Sequence, residues 1–468
     1  MAEYRAPPEM AEIHIAMFPW FAMGHIIPYI HLANDLAARG LKISFLLPKK
    51  TLLKVQHQNL HPNLITFHPL SVPDLDGLPP GTETVCNIPL PNQHLVALAM
   101  DLMRENVRDI LSATKPNLVF YDFAYWIPDI TKQLGIKSAS YHVVSATALA
   151  FVMVPARFVP KDRPMTEDEL RKIPHGYPST TVMPRGHELL TLNNLSRPFG
   201  EGMISFYERI TTSIKSGDTV CIRTCREVEG KYCDYIASQY GKSVLLTGMT
   251  LPETAAKTTP LEERWDKWLG GFEAESVVFC AFGSQYVPEK DQFQELVLGF
   301  ELTGLPFFIV MKPPVGCTTI EDALPDGFEE RVKGRGVVHG GWVQQPEILS
   351  HPSVGCFVTH CGFGSMWEAL MSDNQIVVVP NMRDHLMQAR LLVEELKVAV
   401  EVKKDENKWF SKESLSEAIK CVMDKDSDVG IMVKKNHSEL KQVLGKPGLM
   451  SVYIDKFVNN LQELVLTP

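Results

Sequence analysis

The stretch GWVQQPEILSHPSVGCFVTHCGFGSMWEALMSDNQIVVVPNMRDH, residues 341–385, carries the strongest structural signal of the chain. Within it, the apolar run at 355–360 predicts a strand, a tight glycine-containing turn follows at 361–365, and a helix is expected from about Met366. The helix N-terminus would then point out of the carboxyl end of the strand. Free backbone N–H groups and the positive end of the helix dipole favour an anion, and glycines let phosphate oxygens come close. The segment therefore predicts a site for a diphosphate.

Strand and helix patterns alternate on both sides of this stretch. The N-terminal half opens with an apolar run at 13–19, a helical pattern at 28–40 and a second apolar run at 41–48, with Pro28 near the helix start and Gly40 after its end. Further strand-like runs lie at 116–122, 137–144, 276–284, 306–313, 336–343 and 375–380. Because a strand–helix–strand unit forms a right-handed parallel crossover, we expect an α/β protein with doubly wound sheets.

A chain of 468 residues exceeds the size of one ordinary core and predicts two domains with a cleft between them. The polar, proline-containing stretch at 249–262 is typical of a linker. We therefore expect an N-terminal domain at 1–248, a C-terminal domain at 263–450, and a C-terminal helix at 451–468 that packs back on the N-terminal domain.

A dense run of prolines at 155–185 discourages regular structure, apart from a short charged helix, TEDELRK, at 166–172. We expect a long surface excursion near the mouth of the cleft. It is either a lid or acceptor-facing loop, or a plain solvated connection.

Composition narrows the class of protein. Apolar residues make up 45% of the chain and charged residues 22%, as in ordinary globular proteins, and the net charge of −9 comes without a Lys/Arg block that would bind nucleic acid. The nine cysteines lack paired spacing, which indicates free thiols in a reducing compartment. No signal-peptide pattern opens the chain, and no apolar run reaches the ~18 residues needed to cross a bilayer. We expect a cytoplasmic, monomeric protein without a membrane span.

Two polar residues follow strands of the N-terminal half. His25 comes after the first strand, in FPWFAMGH, and Asp122 closes PNLVFYD. An imidazole that titrates near neutrality can take the proton of an attacking hydroxyl, and a carboxylate at the same sheet edge can accept its other N–H. We predict that His25 and Asp122 form a catalytic pair. The histidines without such support, expected to be structural or surface residues, are His14, His31, His142 and His339.

The 342–385 segment resembles the donor-binding signature of plant family 1 glycosyltransferases, the plant secondary product glycosyltransferase box. The match includes Trp342, Gln345, the His-Cys-Gly at 360–362, Glu368 and the acidic residue near the end. The resemblance implies the GT-B architecture, two Rossmann-like domains with the active site in the cleft and an acceptor-binding N-terminal domain. It also implies an inverting, metal-independent enzyme with a UDP-sugar as co-substrate and no permanently bound cofactor. We see no Asp-x-Asp at a strand end that would hold a divalent ion on a diphosphate.

Carried over to this chain, the resemblance assigns binding roles. It places the uracil ring on Trp342, beside Val343, and the ribose hydroxyls on Gln345 and Glu368. The residues expected to hold the diphosphate are His360, Gly362, Gly364, Ser365 and, in a second small-residue turn, Ser284. Those expected at the hydroxyls of the donated sugar are Asp384 and His385.

Two departures from the common pattern bear on the substrates. Phe363-Gly364 stands where the commonest members have Trp-Asn, and this resembles the subgroup that adds a sugar to a sugar already on a flavonoid or anthocyanin. The resemblance thus implies a plant flavonoid glycoside as small-molecule acceptor; an aglycone hydroxyl, phenolic or terpenoid, stays an alternative. His385 stands where glucose-using members carry Gln, so the donor sugar is open among glucose, galactose, xylose, arabinose and rhamnose.

Two other classes compete with an enzyme of this kind. A nucleotide-binding oxidoreductase needs G-x-G-x-x-G between a strand and a helix, whereas the first such turn here holds Gly24 alone. A non-catalytic sugar-nucleotide-binding protein would keep the C-terminal segment and lose the base. The presence of His25 and Asp122 favours the enzyme.

Overall fold

A computed structural model of the chain describes residues 13–86, 88–161, 163–186, 188–189, 195–200, 202–251, 260–283, 286–381 and 383–466. The predicted linker at 249–262 lies mostly outside the described residues. So does Ser284.

The strands, in chain order, are β1 (His14–Phe18), β2 (Lys42–Pro48), β3 (Ile65–Leu70), β4 (Leu118–Tyr121), β5 (Lys137–His142), β6 (Pro198–Phe199), β7 (Ile204–Ser205), β8 (Thr219–Ile222), β9 (Val244–Leu246), β10 (Val277–Ala281), β11 (Phe307–Val310), β12 (Gly336–His339), β13 (Val354–Thr359), β14 (Gln375–Val378) and β15 (Ala399–Glu401). In the N-terminal half, a parallel sheet runs in the order β3-β2-β1-β4-β5-β8-β9. In the C-terminal half, a second parallel sheet runs β12-β11-β10-β13-β14-β15. The two doubly wound sheets that the alternation predicts are both present.

The helices are α1 (Met23–Ala37), α2 (Lys49–Val55), α3 (Gln93–Asp101), α4 (Arg104–Thr114), α5 (Ile127–Leu134), α6 (Ala146–Val152), α7 (Glu167–Arg171), α8 (Phe206–Ser216), α9 (Arg226–Tyr240), α10 (Glu263–Leu269), α11 (Lys290–Thr303), α12 (Phe328–Arg331), α13 (Gln345–Leu349), α14 (Phe363–Met371), α15 (Arg383–Arg390), α16 (Lys412–Met423), α17 (Asp428–Leu444) and α18 (Leu449–Leu466). Their apolar faces cover both sheets, whose inner strands are built almost entirely of buried residues, whereas the edge strands β3, β9, β12 and β15 are largely part-exposed.

The first helix begins earlier than its sequence pattern predicts. α1 starts at Met23, so Pro28 lies inside the helix rather than at its start, and His25 lies in the first helical turn rather than before it. Pro28 removes one backbone hydrogen bond, but the buried side chains of Ile26 and Tyr29 on either side of it pack against the sheet. Tertiary packing thus outweighs the local preference of proline.

An apolar cluster crosses from one half of the molecule to the other. It includes Phe151 and Val182 of the N-terminal half together with Phe363, Trp367 and Leu391 of the C-terminal half. The two halves therefore share a continuous packed interface.

The proline-rich excursion takes part in this interface. The predicted charged helix is present as α7, with Thr166 as the N-cap of a capping box. Around it, the side chains of Leu170, Tyr177 and Val182 are buried in the shared cluster. A plain solvated connection is therefore the wrong description, because these apolar side chains pack into the interface.

The C-terminal helix α18 packs on the N-terminal sheet. Its residues Ile454, Phe457 and Leu461 are buried in the cluster around β1 and β4, and the ring of Phe457 stacks on that of Phe120 with centroids 5.9 Å apart. At the surface, Arg39, just after α1, bonds Asp455 of α18.

Candidate active site

The strand orders place both predicted clusters at positions where ligands bind in doubly wound sheets. Each order reverses direction once, between β1 and β4 in the first sheet and between β10 and β13 in the second. Helices on either side of such a point lie on opposite faces and leave a crevice at the carboxyl ends of the strands. His25 and Asp122 follow β1 and β4, and His360 follows β13.

The structure brings His25 and Asp122 together. His25 Nδ1 is hydrogen-bonded to Asp122 Oδ2, and the carboxylate is buried while the imidazole is partly exposed. With Nδ1 bonded to a carboxylate, the proton resides on that nitrogen and Nε2 keeps a free lone pair. The pair has the arrangement of a general base held by an acidic partner.

A second imidazole, that of His142, lies beside this pair; its sequence context predicted a structural or surface residue, and it is buried. His142 ends β5, the neighbour of β4, and its buried Nε2 has no hydrogen-bond partner among the described residues. Burial lowers the pKa of His142 to about 4; Asp122 opposes this shift and His25 adds to it. His142 is therefore neutral at neutral pH. Its place at the end of the adjacent strand is the signal that could have pointed to it.

Aromatic rings form a wall next to the base. The ring of Phe123 lies 6.0 Å from the imidazole of His25 and 4.6 Å from the ring of Trp20. Phe206 of α8 meets Phe123 edge-on at 5.7 Å. Flat apolar surface is thus available beside the imidazole.

The turn before α14 has the geometry of an anion site. Cys361 adopts φ +66°, a left-handed conformation that a non-glycine residue rarely takes, and Gly362 follows as the N-cap without a side-chain cap. The first N–H groups of α14, on Phe363, Gly364 and Ser365, have no partner within the helix. The end of α14 can therefore receive negative charge.

Two glycines allow His360 to lie in this turn. A Cβ built on Gly362 would stand 2.4 Å from His360 Nε2, and one on Gly283 would stand 2.9 Å from His360 Cε1. Burial lowers the pKa of His360 well below its usual range, and His385 lowers it further. His360 is therefore a neutral hydrogen-bonding group rather than a cation. Its Nδ1 is buried without a partner among the described residues.

The predicted nucleoside residues lie at the start of α13 and on α14. Trp342 is 78% exposed, an open indole face, and Val343 beside it is buried. Gln345 Nε2 donates a hydrogen bond to Glu368 Oε2. Burial raises the pKa of Glu368, while the bond from Gln345 opposes that shift. The two residues expected at the ribose are thus direct neighbours.

The predicted sugar-binding residues begin α15. Asp384 is partly exposed and His385 is buried, with its ring 4.8 Å from that of His360 in an edge-to-face contact. Burial lowers the pKa of His385 as well, so both rings are neutral. His385 thus contacts one of the residues predicted to bind the diphosphate.

Gln344 is a further residue that the sequence pattern missed. Its Oε1 accepts a hydrogen bond from the backbone N–H of Glu262 at 2.8 Å, and its Nε2 donates to the carbonyl of Pro260 at 3.0 Å. It therefore ties the end of the predicted linker to the donor segment. Glutamine in a polar run gives no sequence signal for such a contact.

The helices that carry His25 and the candidate anion site are in contact: α1 carries His25, and the N-terminus of α14 is the candidate anion site. Among the described residues, no group of three or more His, Cys, Asp or Glu side chains is placed to hold a metal ion.

Comparison with known proteins agrees with this arrangement. Residues 330–442 match the family described as UDP-glucoronosyl and UDP-glucosyl transferase. UDP-glycosyltransferase 79B6 of Arabidopsis thaliana is 52% identical over 97% of this chain and 98% of its own length. The chain belongs to the plant UDP-glycosyltransferase family. This UDP-glycosyltransferase is also 52% identical, over 98% of both chains, to the anthocyanidin 3-O-glucoside 2'''-O-xylosyltransferase of Arabidopsis thaliana.

Solved structures confirm the fold of this UDP-glycosyltransferase. UGT73P12 of Glycyrrhiza uralensis, complexed with glycyrrhetinic acid 3-O-monoglucuronide, superposes with a TM-score of 0.79 at 19% identity, covering 97% of each chain. The GT-B prediction, the UDP-sugar donor and the resemblance to the branch-forming subgroup are confirmed. No helix in the described part of this UDP-glycosyltransferase combines the length and apolar character needed to cross a bilayer.

Proposed function

We propose that this UDP-glycosyltransferase transfers a sugar, with inversion and without a metal ion, to a sugar hydroxyl of a flavonoid or anthocyanin-type glycoside. The observation that carries the proposal is the His25–Asp122 pair at one switch point, on a helix that contacts the anion-binding helix of the other. The 52% identity to an anthocyanidin 3-O-glucoside xylosyltransferase supports the acceptor class.

In this mechanism, Nε2 of His25 takes the proton of the acceptor hydroxyl while its oxygen bonds to the anomeric carbon. Asp122 keeps the imidazole in the required tautomer and stabilises the imidazolium that forms. The bond between the anomeric carbon and the phosphate oxygen breaks on the opposite face, so the configuration inverts. A base of this kind contributes about 10²–10⁴-fold to the rate.

Negative charge that develops on UDP would meet the N-terminus of α14. Backbone N–H groups of Gly364 and Ser365 are fixed in direction, and they need no reorganisation as charge develops. His360 supplies a neutral donor, and the hydroxyl of Ser284 is assigned to the diphosphate as well. Trp342 with Val343 binds the uracil, and Gln345 with Glu368 binds the ribose.

Open space beside Gly364 supports a glycosylated acceptor. A Cβ built on Gly364 meets no heavy atom within 4 Å, and the residue lies in the first turn of α14. Phe363, by contrast, is buried against Trp367 in the interface between the halves. The pair thus frees room next to the diphosphate site, where the sugar of an acceptor glycoside fits. Transfer to an aglycone hydroxyl is the second candidate, since the aromatic wall of Trp20 and Phe123 suits a flat phenol.

Three further assignments belong to this proposal. We divide the chain into an acceptor-binding domain at 1–248, a linker at 249–262, a donor-binding domain at 263–450 and a terminal helix at 451–468. All nine cysteines lie within described residues and are free, which favours a reducing compartment, the cytosol. We assign a monomer.

One assay tests the proposal. Purified protein is incubated with UDP-glucose, UDP-galactose, UDP-xylose, UDP-arabinose or UDP-rhamnose, each with flavonoid 3-O-glucosides and the matching aglycones, in buffer containing EDTA. We expect a diglycoside, with the new bond inverted, and faster turnover of glycosides than of aglycones. Preference for aglycones, retention of configuration, or activity that requires an added divalent ion would each contradict the corresponding part of the proposal.

A further inference from the structure

A buried ionic chain links the N-terminal half to the sugar end of the donor segment. Arg390, the last residue of α15, is 2% exposed and bonds two carboxylates: Glu188, three residues after the proline-rich excursion, at 2.5 Å, and Glu401 at the end of β15. Glu188 and Glu401 are themselves largely buried. The guanidinium therefore joins the two halves of the molecule in a region from which water is largely excluded.

Lys404, three residues after Glu401 in the sequence, bonds the segment before α15. Its Nζ donates hydrogen bonds to the carbonyl of Pro380 and to Asn381 Oδ1, the latter at 3.0 Å. Burial lowers the pKa of Lys404 to about 8, while Glu401 and Glu188 oppose that shift. Pro380 and Asn381 lead directly into the turn of helix that carries Asp384 and His385.

Arg390 has both of its carboxylate partners only when the two halves are together. Glu401 belongs to the C-terminal half, as Arg390 does, whereas Glu188 comes from the N-terminal half. A buried charge that lacks a partner is strongly unfavourable, whereas a complete set of partners fixes the geometry. Packing of the segment around Glu188 is therefore coupled to the position of α15, whose first turn carries Asp384 and His385.

We propose that Glu188 and Lys404 are positioning residues for the donated sugar. Glu188 acts through Arg390, which ends the helix whose first turn carries Asp384 and His385, and Lys404 acts through the loop at 380–381 that leads into that helix. This inference rests on the proposed function, in which Asp384 and His385 bind the sugar. The segment that follows the proline-rich excursion then supports the donor site from the opposite half of the molecule.

The test compares Glu188→Gln and Lys404→Met with Glu394→Gln as matched control. Glu394 also forms an ion pair across the two halves, with Arg185, the last residue of the excursion. For each full-length variant, folding is checked by circular dichroism. The KM for the UDP-sugar turned over fastest and the Kd of UDP, which lacks the sugar, are then measured.

We expect Glu188→Gln and Lys404→Met each to raise the KM for the UDP-sugar about fivefold or more, the lower end of coupling between linked sites. The Kd of UDP should stay within about twofold, and Glu394→Gln should change neither value. The KM of the double variant should rise by less than the product of the two single effects, because both substitutions loosen the position of the same helix, α15.

A purely structural role would predict a different result. It would lower the amount of folded protein or alter the binding of UDP and UDP-sugar together, and that outcome overturns the inference. A KM for the UDP-sugar that is equal in Glu188→Gln and Glu394→Gln also overturns the inference. A separate variant, Asp384→Ala, tests the proposed function on which the inference rests. An unchanged KM for the UDP-sugar in this variant would refute the sugar-binding role of Asp384, independently of the result for Glu188→Gln.

Discussion

His25 Nδ1 and Asp122 Oδ2 form a hydrogen bond across 97 residues of sequence, between the first turn of α1 and the end of β4. The bond exists because β1 and β4 are adjacent parallel strands, so that the residues after them share one sheet edge. It leaves Nε2 of the imidazole as the free basic nitrogen.

Replacement of His25 by alanine should remove the base and leave the donor site intact. We expect His25→Ala to lower kcat by about 10²–10⁴-fold, the usual contribution of a positioned general base, with the Kd of UDP unchanged. His57→Ala, at an exposed histidine, is the matched control and should turn over as the wild type does. Equal kcat for wild type and His25→Ala would rule out the assignment of the base.

Replacement of Asp122 by asparagine should switch the His25 imidazole to its other tautomer. The amide of Asn can donate to Nδ1 and move the imidazole proton to Nε2, where the lone pair is needed. We expect Asp122→Asn to lower kcat by at least about 10²-fold. The KM for the acceptor should change little, because the side-chain volume is conserved. Asp129→Asn, at a 70% exposed carboxylate, serves as control. If kcat falls no further in Asp122→Asn than in this control, Asp122 does not orient the base.

Binding of UDP should weaken on acidification through Glu368. Its folded-state pKa is raised, so the carboxylate that accepts the ribose hydroxyls is fully present above that pKa and is lost as pH falls through it. As pH falls, the loss of UDP affinity should therefore begin above the ordinary glutamate pKa of about 4.3. Titration calorimetry of wild type and Glu368→Gln over the same pH range isolates the effect, since protonation of UDP is common to both. Identical pH profiles would show that Glu368 does not bind as a carboxylate.

A side chain at position 364 should select against glycosylated acceptors. Gly364 has a φ outside the left-handed region, so Gly364→Asn introduces an amide into open space without backbone strain. We expect kcat/KM for a flavonoid 3-O-glucoside to fall about tenfold or more, in line with the ~1–3 kcal/mol typical of overpacking, and that for the aglycone to change little. For the glucoside, the kcat/KM of Gly364→Ala should lie between those of the wild type and Gly364→Asn. Equal losses for both acceptors would place the acceptor sugar elsewhere.

Substitution at position 385 should change donor preference. His385 is buried against His360, so a glutamine there alters the polar groups available to the sugar and the packing of the diphosphate residue together. We expect the ratio of kcat/KM between two UDP-sugars to shift by about tenfold or more in His385→Gln. The measurement is competition between paired donors at fixed acceptor. A preserved ratio with a uniformly lower rate would mean that His385 supports the site without selecting the sugar.

Local patterns predicted much of the fold and supplied the candidate site residues. Strand–turn–helix at 355–371 follows from an apolar run, a glycine turn and an amphipathic segment, and the structure places the turn there. The start of α1 was wrong because Pro28 suggests a boundary that packing against the sheet overrides. The burial of Tyr177 and Val182 was missed because the prolines around them suggest an irregular surface segment. These apolar side chains are buried only where the two halves pack together.

By itself, the sequence of this protein determined which groups are candidates for the site: an imidazole and a carboxylate after two strands, and a glycine turn before a helix, each specified by residues within one short segment. The tertiary structure alone decided which segments meet. The crossover order puts β1 beside β4 and β10 beside β13, and the packing of two halves brings Glu188 to Arg390. Such contacts depend on burial and charge balance summed over distant segments, which no local pattern records.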